Sequence, residues 1–167
     1  MSSNNEAVKK GKIFLSYGHD EYRPDVLRIK TDLEKRGYAL WFDEVDIKEG
    51  IDYETSIEEG LQQCDVVILI MTPYSVRRRK RNDPNSSDGY CLNEIAKALE
   101  KRKLIIPILL VYLDDGPPTS ICRIQYLDLR DSIPINYHNE KYQVRFERLI
   151  RAIEAEDLDF EGGQARL

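Results

Sequence analysis

The chain has 167 residues, of which 41% are hydrophobic and 33% charged, and its net charge is −5. This length and composition predict one soluble globular domain and exclude collagen-like, low-complexity and coiled-coil chains. The negative charge argues against nucleic-acid partners, which are bound through Lys and Arg. The longest apolar run, residues 66–71, is far shorter than the roughly 20 residues that cross a membrane, and the N-terminus lacks the apolar core of a signal peptide. We therefore expect a cytoplasmic protein that does not bind membranes.

Cysteines and histidines are few. The three cysteines, Cys64, Cys91 and Cys122, are an odd number without Cys-x-x-Cys spacing, and only His19 and His138 could join them as metal ligands. Disulfide-stabilised secreted domains usually carry an even set of cysteines. We expect free thiols in a reducing compartment and no metal site.

Strand-like and helix-like patterns alternate along the chain. In chain order, the predicted strands are residues 12–17, 38–42, 66–71, 104–113 and 126–129. Apolar residues at helical spacing follow the first, second, third and fifth strands, and they are Val26, Ile29 and Leu33; Ile57, Leu61 and Cys64; Leu92, Ile95, Ala96 and Leu99; and Phe146, Leu149, Ile150 and Ile153. The third strand has no polar residue, which is typical of a strand buried on both faces. We predict an α/β fold with one open five-stranded parallel sheet, flavodoxin-like strand order 2-1-3-4-5 and helices on both faces.

Local signals refine the element boundaries. Thr55 and Glu58 have the spacing of a capping box at the start of the second helix. Pro107 cannot donate a ladder hydrogen bond, so we expect it at the start of its strand or on an unpaired side. We divide the chain into a flexible N-terminal segment (1–11), the domain (12–155) and a tail or linker start (156–167). The last segment has a Gly pair and no helical stripe.

Ligands of such sheets bind beyond the carboxyl ends of the strands, next to the switch between strands 1 and 3. The loop after strand 1, SYGHDE, has no Gly-rich phosphate motif, which argues against a dinucleotide or triphosphate held on a Gly-rich helix start. The loop also lacks the acidic pair of a phospho-receiver, and the chain has no Gly-x-Ser-x-Gly elbow. Two interpretations stay open: the loop binds a polar ligand, or Ser16 and Asp20 cap the next helix while His19 lies in solvent.

Three later segments are further candidates. The acidic loop after strand 2 places Ile47 and Ile51 among carboxylates, and it is either a partner surface or a loop whose isoleucines pack on the domain's own core. The basic run at 77–81 is either a mobile, solvated loop or a contact for an anionic ligand or an acidic subunit. Glu94 lies off the apolar stripe of its helix, so we expect it to face away from the core, and Cys91 beside it is most simply a small core residue.

Taken in order, three segments resemble a TIR (Toll/interleukin-1 receptor) domain of the bacterial or plant-like, NAD-cleaving kind. They are FLSYGHDE, GYALWFDEVDIKEGIDYETSIEEGLQQCDVVILIMTPYS and YCLNEIAKALEKRKLIIPILL, and the resemblance covers residues 12 to about 153. The third segment is similar to the family's Trp-Cys-x-x-Glu element. This similarity implies that Glu94 is catalytic and that Tyr90, in place of Trp, stacks on the ligand. Further substrate contacts implied by the resemblance are Ser16, Tyr17, Gly18, Trp41 and Asp43.

The resemblance also implies a function. NAD+ would be a substrate and not a cofactor, cleaved without a metal at its nicotinamide-ribose bond to ADP-ribose or a cyclic isomer. The loop after strand 2 corresponds to the family's BB loop, so Ile47, Gly50 and Ile51 would contact other TIR domains, and this self-association would activate the enzyme in immune or stress signalling. Two alternatives stay open: a non-enzymatic TIR module that assembles signalling complexes, and an enzyme like the nucleoside deoxyribosyltransferases that acts on free nucleosides.

Overall fold

The computed structural model describes residues 11–42, 50, 52–135 and 139–161. These residues form one open sheet of five parallel strands in the order β2-β1-β3-β4-β5. The strands are β1 (Lys12–Ser16), β2 (Ala39–Phe42), β3 (Val66–Met71), β4 (Leu104–Leu109) and β5 (Leu127–Asp128). The α-helices described are α1 (Arg23–Lys35), α2 (Tyr53–Gln63), α3 (Tyr90–Glu100) and α4 (Glu140–Glu161), with 3₁₀ turns at Thr119–Ile121 and Arg130–Ser132. The predicted fold class and strand order are confirmed.

Helices cover both faces of the sheet because side chains along each strand alternate between them. From β1, Ile13 and Leu15 join the core cluster formed with α1 and α4, whereas Phe14 joins the cluster formed with α2 and α3. All six residues of β3 are buried, which confirms the prediction made from its uninterrupted apolar run. The same alternation puts Ser16, the last residue of β1, on the α2/α3 side.

Pro107 is the fourth residue of β4 and lies in register with Leu69 of β3, so it does not begin the strand. The amide groups of Leu104 and Leu110 donate toward the β3 side, so the odd-numbered residues between them direct their backbone groups toward β5. The pairing of β4 with β5 begins only at Ile108. The side of Pro107 that lacks an N–H therefore faces a part of β4 that has no pairing strand. The prediction that Pro107 lies on an unpaired side is confirmed.

Two boundaries differ from those predicted. The N-cap of α2 is Asp52, whose carboxylate accepts a hydrogen bond from the Thr55 amide at 3.2 Å. Thr55 thus lies inside the first turn of the helix, and the predicted capping box is wrong. Asp52, three residues earlier, takes the N-cap position, because Asp is at least as good an N-cap residue as Thr. Helix α4 runs to Glu161, beyond residue 155. Among the described residues, no helix combines the length and apolarity needed to span a bilayer.

Candidate functional site

Glu94 lies one turn into α3 and is only 3% exposed. Its carboxylate accepts a hydrogen bond from the hydroxyl of Ser16, 78 residues earlier in the chain, at the end of β1. Burying a carboxylate is costly unless hydrogen-bond donors compensate for lost hydration, so the Ser16 hydroxyl is part of what makes this position tolerable. The pair lies at the carboxyl edge of the sheet, next to the switch between β1 and β3.

The expectation that Glu94 faces away from the core is wrong. We predicted that Leu92, Ile95, Ala96 and Leu99 form the buried face of α3. The helix is rotated by about one position, and its buried residues are Cys91, Glu94, Ile95 and Ala98. The small side chains of Cys91 and Ala98 let the helix lie close to the sheet, which leaves Leu99 39% exposed. Cys91 is a buried core residue, as predicted.

The loops after β1 and β3 are joined by hydrogen bonds. The Asp20 carboxylate accepts one from the Thr72 hydroxyl and one from the Tyr22 amide at 3.0 Å. Ser75 is fully buried, and its Oγ accepts from the Thr72 amide and donates to the Ile70 carbonyl, both at 2.8 Å. Asp20 therefore supports the turn into α1, whereas Ser16 does not cap that helix and instead bonds to Glu94.

The loop after β1 carries acidic and aromatic side chains. Partial burial raises the pKa of Tyr22, and the neighbouring carboxylates Glu21 and Asp20 raise it further. His19 is exposed with a positive φ of 52°, and its ring packs on Tyr17 with centroids 4.3 Å apart.

Two glycines let the segments that contain them pack closely against Ser75. A Cβ on Gly18 would lie 2.8 Å from the Ser75 Cβ, and a Cβ on Gly89 would lie 2.2 Å from the Ser75 carbonyl oxygen. Gly89 is the N-cap of α3, so this close approach fixes where the helix that carries Glu94 begins. Both positions need glycine for space, and neither has a positive φ.

Replacing Gly89 by Ala is expected to lower the free energy of unfolding by about 1 to 3 kcal/mol, because the new methyl group overlaps backbone atoms of Ser75. It should also lower the NAD+ cleavage that the resemblance implies, because it displaces the start of α3. Urea denaturation measures the first effect. Gly11→Ala is the matched control, since among the described residues its Cβ would meet Asp65 alone, at an ordinary contact distance of 3.7 Å. Equal stability of the two variants would contradict the close approach.

The other residues implied in substrate binding fall into three groups. Tyr17 and Trp41 are buried core rings: Tyr17 stacks on Phe42 at 4.8 Å, and Trp41 stacks on Phe14 at 4.5 Å. Gly18 lies in the junction with Ser75 described above, and Ser16 bonds to Glu94. Positions outside the described residues or side chains are Asp43, Ile47, Ile51 and the side chain of Tyr90.

Gly50, the described member of the predicted BB-loop set, has a φ of 79°. Sequence reasoning missed Thr72 and Ser75, although a Thr-Pro-x-Ser segment directly after a strand is a turn signal that could have indicated them.

Ser16→Ala is expected to slow the NAD+ cleavage implied by the resemblance by about ten-fold in kcat with little change in KM, because the Glu94 carboxylate loses a donor that helps to orient it. The free energy of unfolding should fall by about 1 to 3 kcal/mol, since a buried acceptor loses one of its hydrogen bonds. Steady-state kinetics and urea denaturation measure both. Ser120→Ala, at an exposed serine, is the control. An unchanged kcat would show that Ser16 does not position the carboxylate.

Within the described part of the chain, no group of three or more His, Cys, Asp or Glu side chains is placed to hold a metal ion. The cysteines are free thiols, with Cys64 and Cys91 buried and Cys122 exposed.

These features define an open parallel α/β domain with a carboxylate held at its ligand edge. A family model described as "TIR domain" matches residues 13–150, and the chain belongs to the TIR domain family. It is 25% identical over 104 residues to the 2′ cyclic ADP-D-ribose synthase BtTIR of Bacteroides thetaiotaomicron, covering 62% of this chain and 34% of that protein. It is 27% identical over 107 residues to the NAD(+) hydrolase TcpA of a Theionarchaea archaeon, covering 64% and 30%.

The chain thus spans about a third of the length of these curated relatives. Among solved structures, the TIR domains of the activated Roq1 resistosome match with a TM-score of 0.60 at 14% identity, covering 86% of this chain and 99% of that one. This match supports the fold.

Proposed function

We propose that this TIR domain cleaves NAD+ at the bond between nicotinamide and ribose, with Glu94 as its catalytic residue. The observation that carries the proposal is the burial of Glu94 at the switch between β1 and β3, where the Ser16 hydroxyl holds its carboxylate. The names of the relatives, an NAD(+) hydrolase and a cyclic ADP-ribose synthase, support it. NAD+ is the substrate, and the proposed reaction needs no cofactor or metal.

The chemistry suits a single carboxylate. When the bond between C1′ and the pyridinium nitrogen breaks, its electron pair stays on the nitrogen, so nicotinamide leaves neutral and needs no proton. Positive charge develops at C1′ of the ribose, and the Glu94 carboxylate stabilises it, as carboxylates do in glycosidases. Water then attacks C1′ and loses a proton to give ADP-ribose, or an internal nucleophile of the substrate attacks to give a cyclic isomer.

The remaining substrate contacts follow from the resemblance and the geometry together. Tyr90, the first residue of α3, is proposed to stack on the ligand, and Asp43 to line the site from the end of β2. Gly18 shapes the loop beside Glu94. Because the rings of Tyr17 and Trp41 are buried in the core, we assign them to supporting the site.

Other TIR domains, including further copies of this chain, are the proposed partners, and immune or stress signalling is the proposed setting. The contact would run through the loop that contains Ile47, Gly50 and Ile51. The Roq1 TIR domains, which have the same fold, occur in an assembled resistosome, and this supports a proposal of assembly. Residues 12–155 are proposed to be the unit that associates.

The test is to incubate concentrated protein with NAD+ and measure free nicotinamide, ADP-ribose and cyclic products by chromatography. Deoxynucleosides with a free base, offered in parallel, test the deoxyribosyltransferase-like alternative. Nicotinamide release that depends on Glu94 supports the proposal. Base exchange on deoxynucleosides without nicotinamide release would overturn it.

One observation favours a second candidate, a TIR module that assembles without catalysis. The Ser16–Glu94 hydrogen bond joins β1 to α3 inside the domain, and a purely structural carboxylate would do the same. In that case both the wild-type protein and Glu94→Gln would self-associate. Neither protein would release nicotinamide from NAD+.

A further inference from the structure

A cleft of about 400 Å³ opens at the carboxyl ends of β3 and β4, between the loops that follow these strands. Pro73, Val76 and Leu113 line its apolar part. The volume lies within the range of small-molecule sites, which is about 300 to 1,000 Å³. Neither Ser16 nor Glu94 is among the lining residues, so this cleft and the carboxylate site use different side chains.

One wall of the cleft is formed by residues of the basic run at 77–81. Contacts within the loop that contains this run hold its backbone in place. The Arg77 guanidinium lies 3.9 Å from the centre of the Tyr74 ring and donates to the Tyr74 carbonyl at 2.8 Å. The Arg79 amide donates to Asp88 at 2.6 Å, and the Lys80 amide donates to the Ser86 hydroxyl at 2.8 Å. Since the backbone of this wall is already ordered, an anion that binds it meets the entropic cost of fixing side chains and not that of fixing the loop.

A second wall, formed by the loop after β4, is acidic. Arg78 and Lys80 line the cleft from the loop after β3, and Asp114 and Asp115 line it from the loop after β4. Within the described residues, none of these four side chains takes part in an ion pair or a side-chain hydrogen bond. Opposite charges thus share one cleft without neutralising each other, which favours a ligand that is anionic at one end and rich in hydrogen-bond donors at the other.

We propose that this cleft binds a ribose phosphate group, such as that of a nucleoside monophosphate. The phosphate would bind Arg78 and Lys80, because guanidinium and ammonium groups form charge-assisted hydrogen bonds with phosphate oxygens. The ribose hydroxyls would donate to Asp114 and Asp115, as they do to acidic residues in dinucleotide-binding sheets. The proposal concerns binding only and does not depend on NAD+ cleavage.

Other ligand classes fit the two walls less well. A plain anion would be repelled by the aspartates, and a basic peptide by the arginines and the lysine. A ribose phosphate satisfies both walls with one short molecule. The loop that forms the basic wall ends at Gly89, the N-cap of α3, so a ligand bound there would contact the segment that leads to the helix of Glu94.

The test is calorimetric titration of the full chain with adenosine monophosphate, its 2′-deoxy analogue and inorganic phosphate. We expect saturable binding of adenosine monophosphate, weaker binding of the deoxy analogue and weaker still of phosphate. The double variant Arg78→Ala with Lys80→Ala should lower the affinity by at least about ten-fold. Arg79→Ala with Arg81→Ala removes the same charge from the same run outside the lining, and it should change the affinity by less than about two-fold.

Two further variants locate the ligand. Asp114→Asn with Asp115→Asn should remove the preference for adenosine monophosphate over its deoxy analogue. Glu94→Gln should keep the affinity unchanged, and a loss there would place the nucleotide at the carboxylate site and overturn the proposal. Absence of saturable binding, equal losses in the two basic double variants, or equal affinity for phosphate and nucleotide would overturn it as well.

Discussion

Glu94→Gln is expected to lower NAD+ cleavage by about a hundred-fold or more, the effect of removing one preorganised electrostatic group from an enzyme site. The glutamine amide has the shape of the carboxylate and can still accept the Ser16 hydroxyl hydrogen bond, so the fold should remain. What it lacks is the negative charge that stabilises the developing charge at C1′. Nicotinamide release measures the activity, and thermal denaturation measures the stability.

Glu100→Gln is the matched control for this experiment. Glu100 ends the same helix but is exposed, so the same change of charge occurs away from the proposed site. It should leave activity near the wild-type level. If Glu94→Gln turned over NAD+ as fast as Glu100→Gln, the assignment of Glu94 as the catalytic residue would be wrong.

Specific activity is expected to rise steeply with protein concentration, because the proposed active form is an assembly and its population follows mass action. The sequence reason is the pair Ile47 and Ile51, an apolar centre with a charged rim of the kind interfaces use. Burying one isoleucine contributes about 1.5 to 3 kcal/mol, so Ile47→Asp or Ile51→Asp should weaken association by about ten-fold or more. Analytical ultracentrifugation and activity measured over about two decades of concentration check this.

The control for these variants is Val144→Asp, which places a new carboxylate on an apolar residue that is already 64% exposed on α4. It should change neither association nor activity. A specific activity that stays flat with concentration, and is indifferent to both isoleucine substitutions, would show that a single copy carries a complete site.

The sheet could be predicted because its signal is local. A short apolar run with no alternation and many β-branched residues, as at residues 66–71, is typical of a strand covered on both faces, and the short βα connections then leave few topologies. The orientation of α3 could not be predicted in this way. Its leucines suggested one buried face, but the face with the small side chains of Cys91 and Ala98 is the one that packs against the sheet. Which face fits best depends also on the shape of the sheet surface, which the helix sequence does not contain.

The order of motifs indicated Ser16, Gly18 and Glu94 as candidate site residues, and their functional roles stay predictions. Their contacts could not be predicted, because no local pattern pairs a strand-end hydroxyl with a helix carboxylate 78 residues away. The roles of Gly18 and Gly89 depend likewise on Ser75, which only the folded chain brings between them. Such contacts are tertiary, so their signal is spread over distant parts of the sequence.

Pro107 has a further consequence for a protein proposed to act when its copies are crowded together. An open strand edge is a template onto which a strand from another molecule can add, and this is a route to aggregation. On the side of β4 that β5 leaves uncovered, Pro107 offers no N–H to an incoming strand. Copies at high local concentration are therefore hindered from joining their sheets at this edge.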